Sequence, residues 1–322
     1  MSRSAQVLVG TANWADHEAF YPESLKGRRA VERLTFYARY FPFVEVDTTF
    51  YGIPRPQVAE GWVQRTPKDF RFTLKAFRSL TRHEREGGVP RPPTDEEERD
   101  FAQALLPLRE SGRLDAVHYQ FPPWFKDSPA NRDVLLEARD RHPDDVLAIE
   151  FRHRSWYEKG AWARTEELLR ELDAVYVMVD APQIGDATAP PQLSVTSKRL
   201  SIVRFHGQNR RTWYIRDARS SADRFDYLYR PAELRPWVPV IQAAADAGVP
   251  VHVVMNNNRS NYAVANAFDM AALLDIRLPR PPQGVLDTLR ARDGAVPEWV
   301  AATAPLPEAE GDGDQLGLGL ES

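Results

Sequence analysis

Eight short apolar segments rich in β-branched residues recur along the chain, and each runs into polar or charged residues at its end. Polar residues within the segments fall on alternate positions, which is the period of a β-strand. The pattern therefore predicts eight strands whose C-terminal ends carry chemically useful side chains. The segments are Gln6–Gly10, Phe43–Thr48, Phe70–Phe77, Asp115–Phe121, Val146–Arg152, Ala174–Asp180, Leu200–His206 and Pro250–Asn256.

Seven segments between these strands carry apolar residues at helical spacing and have charged faces. They are Leu25–Tyr40, Gln57–Arg65, Asp95–Arg109, Ala130–Arg141, Lys159–Leu172, Ala232–Ala247 and Tyr262–Leu274. Strands that alternate with helices predict an α/β fold with parallel strands and right-handed crossovers, and eight such strands close a TIM-type (β/α)8 barrel.

Two features refine this fold prediction. The stretch Ala181–Lys198 contains several prolines and no helical period, so we expect a long loop in place of a helix. The alternative fold is an open doubly wound sheet, but the sequence has neither the GxGxxG nor the GxxxxGK[ST] phosphate loop that often marks such sheets.

Length and composition set the domain organisation. A barrel of this kind takes roughly 250 residues, so the 322 residues predict one barrel domain over residues 1–300 and a flexible tail over residues 301–322. With 43% hydrophobic residues and a mean hydropathy of -0.50, the chain can bury a core and keep a polar surface. A net charge of -4 gives no global attraction to nucleic acid.

The absence of cysteine excludes disulfides, thiolate nucleophiles and thiolate metal ligands. The sequence also contains neither a signal-peptide segment nor an apolar run of roughly 20 residues, the length that spans a bilayer. We therefore expect a cytoplasmic protein that does not engage a membrane.

The C-terminal tail is rich in proline, glycine and acidic residues, and we expect a disordered linker over Pro305–Asp314. The residues that follow, Gln315 to Leu318, are similar to the pentapeptide that binds the bacterial sliding clamp. Glycine stands at position 319, where that motif has an aromatic residue, so a frayed terminus without a partner is the favoured interpretation.

Side-chain alternation locates a candidate site. In Leu200–His206, Val203 and Phe205 would face the surrounding helices, which turns Arg204 and His206 into the barrel. The C-terminal strand ends are where such barrels place their active sites. By the same reasoning we expect these further residues near the mouth: Glu45, Asp47, Lys75, Gln120, Glu150, Arg152, Asp180, Asn256 and Asn257.

Charged and aromatic residues together indicate a ligand class. Buried ion pairs carry a desolvation cost of several kcal/mol per ion, so many inward charges at one end favour a ligand site over mutual neutralisation, which is the structural alternative. Loop aromatics at the expected mouth can stack on sugars or bases, or simply pack together; they are Trp14, Tyr51, Trp124, Trp156, Trp213 and Tyr214. We infer a small anionic ligand with a ring, such as a sugar phosphate or a nucleotide.

The leading hypothesis is an enzyme of the hydrolase or isomerase type. Lys75, Arg152 and Arg204 would hold the anion, while His206 with Asp180 or Glu150 moves protons, and Glu45 and Asp47 complete the catalytic set. Further predicted ligand-binding residues are Trp14, Tyr51, Gln120, His153, Trp156, Asn256 and Asn257. The alternatives are a non-catalytic nucleic-acid or nucleotide-binding protein, with Arg210, Arg211, Trp213 and Arg216 as a basic patch, and a barrel whose activity has decayed.

No cofactor is predicted. A divalent metal held by Glu45, Asp47, Glu150, Asp180 or His206 is a less favoured alternative, because the sequence has no local ligand spacing such as HExxH. The inward cations Lys75, Arg152 and Arg204 would also compete with a metal for those carboxylates.

Several motifs in order resemble one family, the domain of unknown function 72 or YecE-like family. They are Gly10-Thr11-Ala12-Asn13-Trp14, Phe20-Tyr21-Pro22, Val44 to Tyr51, Gln120-Phe121-Pro122-Pro123, Glu150-Phe151-Arg152-His153, Ser155-Trp156, Arg204-Phe205-His206-Gly207 and Asn256-Asn257 with Asn266. The resemblance runs from about Val7 to Ala267, with Ala12-Asn13 where the family usually has Ser-Gly. It implies a TIM-type barrel but brings no established activity with it.

Overall fold

The computed structural model describes residues 5–158, 160–213 and 223–306. Eight parallel strands close a barrel in the spatial order β1, β10, β9, β8, β7, β6, β3, β2. These strands are β1 (Val7–Ala12), β2 (Phe43–Val46), β3 (Arg71–Lys75), β6 (Leu114–Gln120), β7 (Leu147–Glu150), β8 (Val175–Asp180), β9 (Ser201–Phe205) and β10 (Val251–Met255). The predicted barrel fold and all eight predicted strands are confirmed.

Helices cover the outside of the barrel. Those described are α1 (Ala30–Tyr37), α2 (Pro56–Gln64), α3 (Asp95–Glu110), α4 (Pro129–Arg141), α5 (Ala161–Glu171), α6 (Pro231–Leu234), α7 (Val238–Asp246), α8 (Tyr262–Leu273) and α9 (Gln283–Asp293). A short antiparallel pair, β4 (Arg85–Glu86) and β5 (Val89–Pro90), follows β3. Residues 181–198 form no described helix, as expected for that loop.

Two predicted helices differ from the observed ones for local reasons. The helix predicted over Leu25–Tyr40 begins only at Ala30, because Gly27 has a φ of 67° that interrupts a right-handed helix. The helix predicted over Ala232–Ala247 is divided into α6 and α7 by the 3-10 turn Arg235–Trp237. Pro236 lies in that turn, where it cannot donate a backbone hydrogen bond.

Helix α9 and the hairpin β4–β5 were missed by the sequence analysis. Pro282 precedes α9, and Val285, Leu286 and Leu289 form its buried face. The prolines at positions 279, 281 and 282 led to no helix prediction, although proline is also common at the start of a helix. The chain continues in contact with the barrel to Ala304, which pairs with Pro279.

Two apolar layers fill the structure. Outward-facing strand residues such as Val44, Ile149 and Phe205 pack under the helices. Inward-facing residues such as Leu8, Val177 and Ile202 fill the lower barrel interior. Above them, toward the C-terminal ends of the strands, the interior becomes polar, and this change of character positions the candidate site.

Candidate active site

A cavity of about 880 Å³ opens at the C-terminal end of the barrel. Its lining residues come from the segments that follow all eight barrel strands, from Asn13 after β1 to Asn258 after β10. This is the end of the barrel at which TIM-type enzymes bind their substrates, and it is the end predicted from the sequence.

Five predicted residues lie at the base of this cavity: Asp47, Lys75, Gln120, Arg152 and Asn256. The Lys75 ammonium is 3.7 Å from Asp47 Oδ1, and Arg152 Nη1 is 3.7 Å from Glu150 Oε1. Burial raises the pKa of Asp47 above its ordinary value even though Lys75 opposes that change. Burial also lowers the pKa of Lys75, against the opposing charge of Asp47.

Aromatic rings form much of the cavity wall: Phe50, Tyr51, Trp124, Trp213 and Phe225. Cations already lie against several of them. Lys75 Nζ is 4.8 Å from the centre of the Phe50 ring, and the Arg152 guanidinium is 5.2 Å from the centre of a Trp213 ring. Tyr51 and Trp124 remain 61% and 41% exposed, and the Arg85 guanidinium lies 4.3 Å from the centre of a Trp124 ring. Tyr51 is therefore the more accessible of the two to a ligand with a ring.

Beneath the cavity, Arg204 joins two glutamates across the barrel interior. Its Nε lies 3.0 Å from Glu45 Oε1 on β2, and its Nη1 lies 2.9 Å from Glu150 Oε2 on β7. The register neighbours of Glu45 are Ala12 and Thr73, whose small side chains leave room for the guanidinium. All three charged side chains are fully buried.

His118 on β6 completes this layer. Its Nδ1 is 2.9 Å from Glu45 Oε2 and its Nε2 is 3.4 Å from Glu150 Oε2, so it bridges the same two carboxylates as Arg204. Burial opposes the charged forms of both glutamates and would raise their pKa values. Arg204 and His118 nevertheless hold the pKa of Glu45 below its ordinary value. Arg204 and His206 hold the pKa of Glu150 below its ordinary value. Burial would lower the pKa of His118, but Glu45 raises it above the ordinary value. The buried layer therefore pairs two carboxylates with the Arg204 guanidinium and with an imidazole whose protonated form they favour.

His206 lies in the same enclosed region. The Asn256 amide nitrogen is 2.7 Å from His206 Nδ1, and the Asn256 oxygen accepts from Arg204, which fixes the amide orientation. Nδ1 must then accept, so the ring carries its proton on Nε2, which is 3.1 Å from Glu150 Oε1. Burial lowers the pKa of His206 to about 3, and Phe225 stacks on the ring from the cavity side. His206 is a neutral, covered residue.

The orientation predicted for Asp180 is wrong. Its neighbour Val179 is paired in register with the inward-facing Arg204, so Asp180 faces outward. There its carboxylate accepts hydrogen bonds from Gln208 at 2.5 Å, Tyr229 at 2.5 Å and Trp237 at 3.1 Å. Every strand residue before Asp180 is apolar and buried, so this strand has no polar alternation from which its phase could be determined.

Four other predicted ligand-binding residues lie away from the cavity lining. Trp14 and Trp156 are buried under the helices, where their indole nitrogens donate to the carbonyls of Ala30 and Phe125. His153 accepts from the backbone of Ser155 and caps a 3-10 turn. Asn257 donates to Tyr227 O and to Asn266 Oδ1 behind the barrel wall. Loop position alone does not indicate which way a side chain points.

The sequence analysis missed several residues that the fold brings to the site. His118 shares the inward phase of Gln120 on β6, but it was not among the predicted site residues. Asp16 and Arg224 line the cavity without a sequence signal. His83 also lines the cavity, where burial together with Lys75 and Arg152 lowers its pKa to about 3.

Several sequence predictions lie outside the described residues. These are Tyr214 and Arg216, most of the linker Pro305–Asp314, and the clamp-like segment Gln315 to Leu318. Within the described ranges there is no group of three or more carboxylate or imidazole side chains arranged to hold a metal ion. In the same part of the chain, no helix has both the length and the apolar character needed to cross a bilayer.

Comparison with known proteins supports the resemblance drawn from the motifs. The family model "Protein of unknown function DUF72" matches residues 8–287. The UPF0759 protein YunF of Bacillus subtilis is 33% identical over 272 residues, which cover 84% of this chain and 95% of YunF. The UPF0759 protein YecE of Escherichia coli K12 is 30% identical over 165 residues, covering 49% of this chain and 53% of YecE.

Solved structures are also similar to this chain over most of its length. A crystal structure of a DUF72 family protein from Enterococcus faecalis matches with a TM-score of 0.75 at 29% identity, covering 84% of this chain and 96% of that one. A DUF72 family protein from Thermotoga maritima matches with a TM-score of 0.70 at 29% identity, covering 84% and 99%. The chain therefore belongs to the DUF72 family of proteins of unknown function.

Proposed function

We propose that the cavity is the active site of an enzyme that acts on a small anionic ligand with a ring, such as a sugar phosphate or a nucleotide. The observation that carries the proposal is the pair of cations, Lys75 and Arg152, at the base of an 880 Å³ cavity with aromatic walls. Such a volume suits a small molecule, and concave sites with a few polar groups among aromatic rings are typical of ligand sites.

The balance of charge supports an anion. Among the described lining residues, Lys75, Arg152 and Arg224 face only two carboxylates, Asp16 and Asp47. The raised pKa of Asp47 further reduces the negative charge at neutral pH. Glu45 and Glu150 offset the cavity cations only weakly, because they pair at shorter distances with His118 and Arg204 than Glu150 does with Arg152. A cleft with this excess of cations attracts phosphate or carboxylate groups.

Asp47 is the best candidate for proton transfer. It lines the cavity, and its Oδ1 lies 3.5 Å from Arg204 Nη2 and 3.7 Å from Lys75 Nζ. Both distances exceed an ordinary hydrogen bond, so this oxygen can turn to a ligand. A carboxyl group with a raised pKa serves both as acid and as base, which suits hydrolysis or isomerisation. His206 and Glu150, covered by the cavity base, are better suited to positioning Asn256, Gln120 and Arg152.

A thermal-shift screen of phosphorylated sugars and nucleotides tests the proposal. A ligand at 100 times its Kd stabilises the folded state by about 2.7 kcal/mol. Arg152→Gln should weaken the binding of the ligand with the largest thermal shift by roughly tenfold or more, because a charge-assisted contact contributes on the order of 1.5–3 kcal/mol. Arg99→Gln, an exposed position on α3, is the control and should leave binding unchanged. The proposal fails if no anion in the screen raises the unfolding temperature.

The exposure of Tyr51 and Trp124 favours one alternative, a nucleic-acid or nucleotide-binding protein without catalysis, because exposed aromatic residues can stack on bases. Fluorescence anisotropy with single-stranded oligonucleotides, at several salt concentrations and with or without EDTA, separates the two functions. Tight, salt-dependent binding that Tyr51→Ala and Trp124→Ala abolish would favour the binding protein, and loss with EDTA would indicate a metal-dependent form of it.

A further inference from the structure

Lys75 differs in its surroundings from the other lysines that the structure describes. Lys26, Lys68, Lys126 and Lys198 are exposed, whereas Lys75 is 8% exposed and lines the cavity. We propose that the Lys75 amine is a nucleophile that forms an imine with a carbonyl group of the bound ligand. This inference rests on the proposed function, since it assumes that the cavity binds a small anionic molecule.

The geometry around Nζ leaves its positive charge poorly compensated. Its nearest described carboxylate oxygen, Asp47 Oδ1, is 3.7 Å away and is shared with Arg204 Nη2 at 3.5 Å. On its other side Nζ lies 4.8 Å from the centre of the Phe50 ring. One shared carboxylate at this distance is a weaker partner than a direct salt bridge.

Burial outweighs the nearby carboxylates Asp47, Glu45 and Glu150, which favour the ammonium, and shifts Nζ toward the neutral amine. The charged or titratable groups that bear on it are Asp47, Glu45, Glu150 and Arg204, with His83 lining the same cavity. Burial is the largest influence and lowers the pKa of Lys75, and the positive charge of Arg204 adds to that change. A lysine that is desolvated beside a second cation is a recognised form of activated nucleophile.

Imine formation replaces the carbonyl oxygen by the lysine nitrogen and releases water. The nitrogen lone pair of the neutral amine attacks the carbonyl carbon, and the π electrons of the carbonyl become an oxygen lone pair. This oxygen takes up one of the two protons of the attacking nitrogen, which gives a neutral carbinolamine. Asp47, when protonated, supplies a proton to the leaving hydroxyl group, which departs as water as the carbon–nitrogen double bond forms. The protonated imine then carries its positive charge on the Lys75 nitrogen, beside the carboxylate that Asp47 becomes when it loses its proton. No oxidant, reductant or metal is required.

The ligand class follows from these two sites. The ligand must carry an aldehyde or ketone for Lys75 and an anionic group for Arg152 and Arg224, the other cations of the described cavity lining. A sugar phosphate meets both requirements, because its ring form is in equilibrium with an open-chain aldehyde or ketone. A protonated imine withdraws electrons from the adjacent carbon, which permits isomerisation, one of the two reaction types in the proposed function.

Pyridoxal 5′-phosphate is a suitable probe because it combines an aldehyde, an aromatic ring and a phosphate. The full-length protein is incubated with a limiting amount of the probe at pH 7, reduced with borohydride and digested for peptide mapping by mass spectrometry. We expect the adduct to form predominantly at Lys75 rather than at the exposed Lys68, because a lowered pKa raises the fraction of neutral amine and the cavity cations hold the phosphate of the probe. Lys75→Arg should abolish the selective adduct while leaving the circular dichroism spectrum unchanged.

The outcomes separate this inference from the proposed function. A borohydride-dependent adduct concentrated at Lys75 supports the imine. Equal labelling of Lys68, Lys126 and Lys198, or no adduct at Lys75, overturns it. If phosphorylated ligands still raise the unfolding temperature in that case, the anion-binding function stands without the imine; if they do not, both proposals fail. The peptide mapping is done on the wild-type protein, so its result does not depend on whether any variant folds.

Discussion

Arg204 connects charges from three strands of the barrel interior. Its guanidinium starts on β9 and contacts Glu45 on β2 and Glu150 on β7, with every one of these side chains fully buried. Its removal leaves two buried carboxylates that His118 and Arg152 neutralise only partly. The cost of an uncompensated buried charge exceeds the net contribution of a well-formed pair.

We therefore expect Arg204→Met to lower the free energy of unfolding at pH 7 by about 3–5 kcal/mol, measured by urea denaturation. Arg99→Met on the exposed face of α3 should change the free energy of unfolding by less than about 0.5 kcal/mol.

The contribution of Arg204 to stability should depend on pH, because its guanidinium holds the pKa values of Glu45 and Glu150 low. This contribution is present above about pH 4.3, the pKa of a glutamate in the unfolded chain. It is lost as the pH falls through the pKa values of the two glutamates in the folded protein. The difference between wild type and Arg204→Met should accordingly shrink below about pH 4; a constant difference would contradict the proposed charge pairing.

Folding should shift the pKa values of the two buried histidines in opposite directions, upward for His118 and downward for His206. The pKa of His118 is raised, so its contribution to stability is complete below the unfolded value of about 6.5 and is lost as the pH rises through the folded value. The pKa of His206 is lowered to about 3, so the unfolded chain binds a proton that the folded chain does not, and stability falls as the pH drops from about 6.5. Imidazole nitrogen NMR should show that His118 keeps its second proton to a higher pH than a free imidazole, and that His206 is neutral at pH 7 with its proton on Nε2. His118→Gln and His206→Gln assign the signals, and a His206 transition near pH 6.5 would refute this description.

At the scale of elements, helix α9 is held against the loop after β1 by an unusually close backbone approach. A Cβ atom on Gly284 would lie 2.1 Å from the carbonyl oxygen of Ala19, whereas a Cβ on Gly61 in α2 would meet only the far end of the Arg65 side chain at 3.3 Å. The same substitution in two helices should therefore have opposite effects.

Gly61→Ala should stabilise the protein by up to about 1 kcal/mol, since alanine has the higher helix propensity. Gly284→Ala should destabilise it by about 1–3 kcal/mol, because α9 must move away from Ala19 to admit the methyl group. Thermal or urea denaturation measures both. A stabilising Gly284→Ala would mean that α9 does not pack on this loop as described.

For the whole molecule, the barrel depends on residues beyond its last strand. Val285, Leu286 and Leu289 of α9 are buried, and Val300 is 3% exposed in the turn that follows. Each buried aliphatic side chain contributes roughly 1.5–3 kcal/mol. The predicted domain boundary at residue 300 and the tail that follows it remain predictions.

Truncation tests where the folded unit ends. A chain ending at Leu306 should unfold at the same temperature as the full-length protein, because the Pro-, Gly- and acid-rich sequence that follows contains too few apolar residues to form a core. A chain ending at Pro282 should lose several kcal/mol of stability by exposing the surface that α9 covers. Differential scanning calorimetry measures both, and a large loss in the longer truncation would show that the tail contributes to the fold.

The sequence by itself determined the eight strands, their alternation with helices, the family, and the inward orientation of Glu45, Glu150, Arg204 and His206, because each of those strands alternates polar with apolar residues. Only the tertiary structure decided the depth of each side chain. Arg204 and His206 lie beneath the cavity while Lys75 and Arg152 reach it, since depth depends on which side chains from distant strands cover them. Asp180 ends a strand that is buried on both faces, so the local sequence does not indicate which way its side chain points. Hydrogen bonds from Tyr229 and Trp237, which only the tertiary structure brings close, determine its orientation.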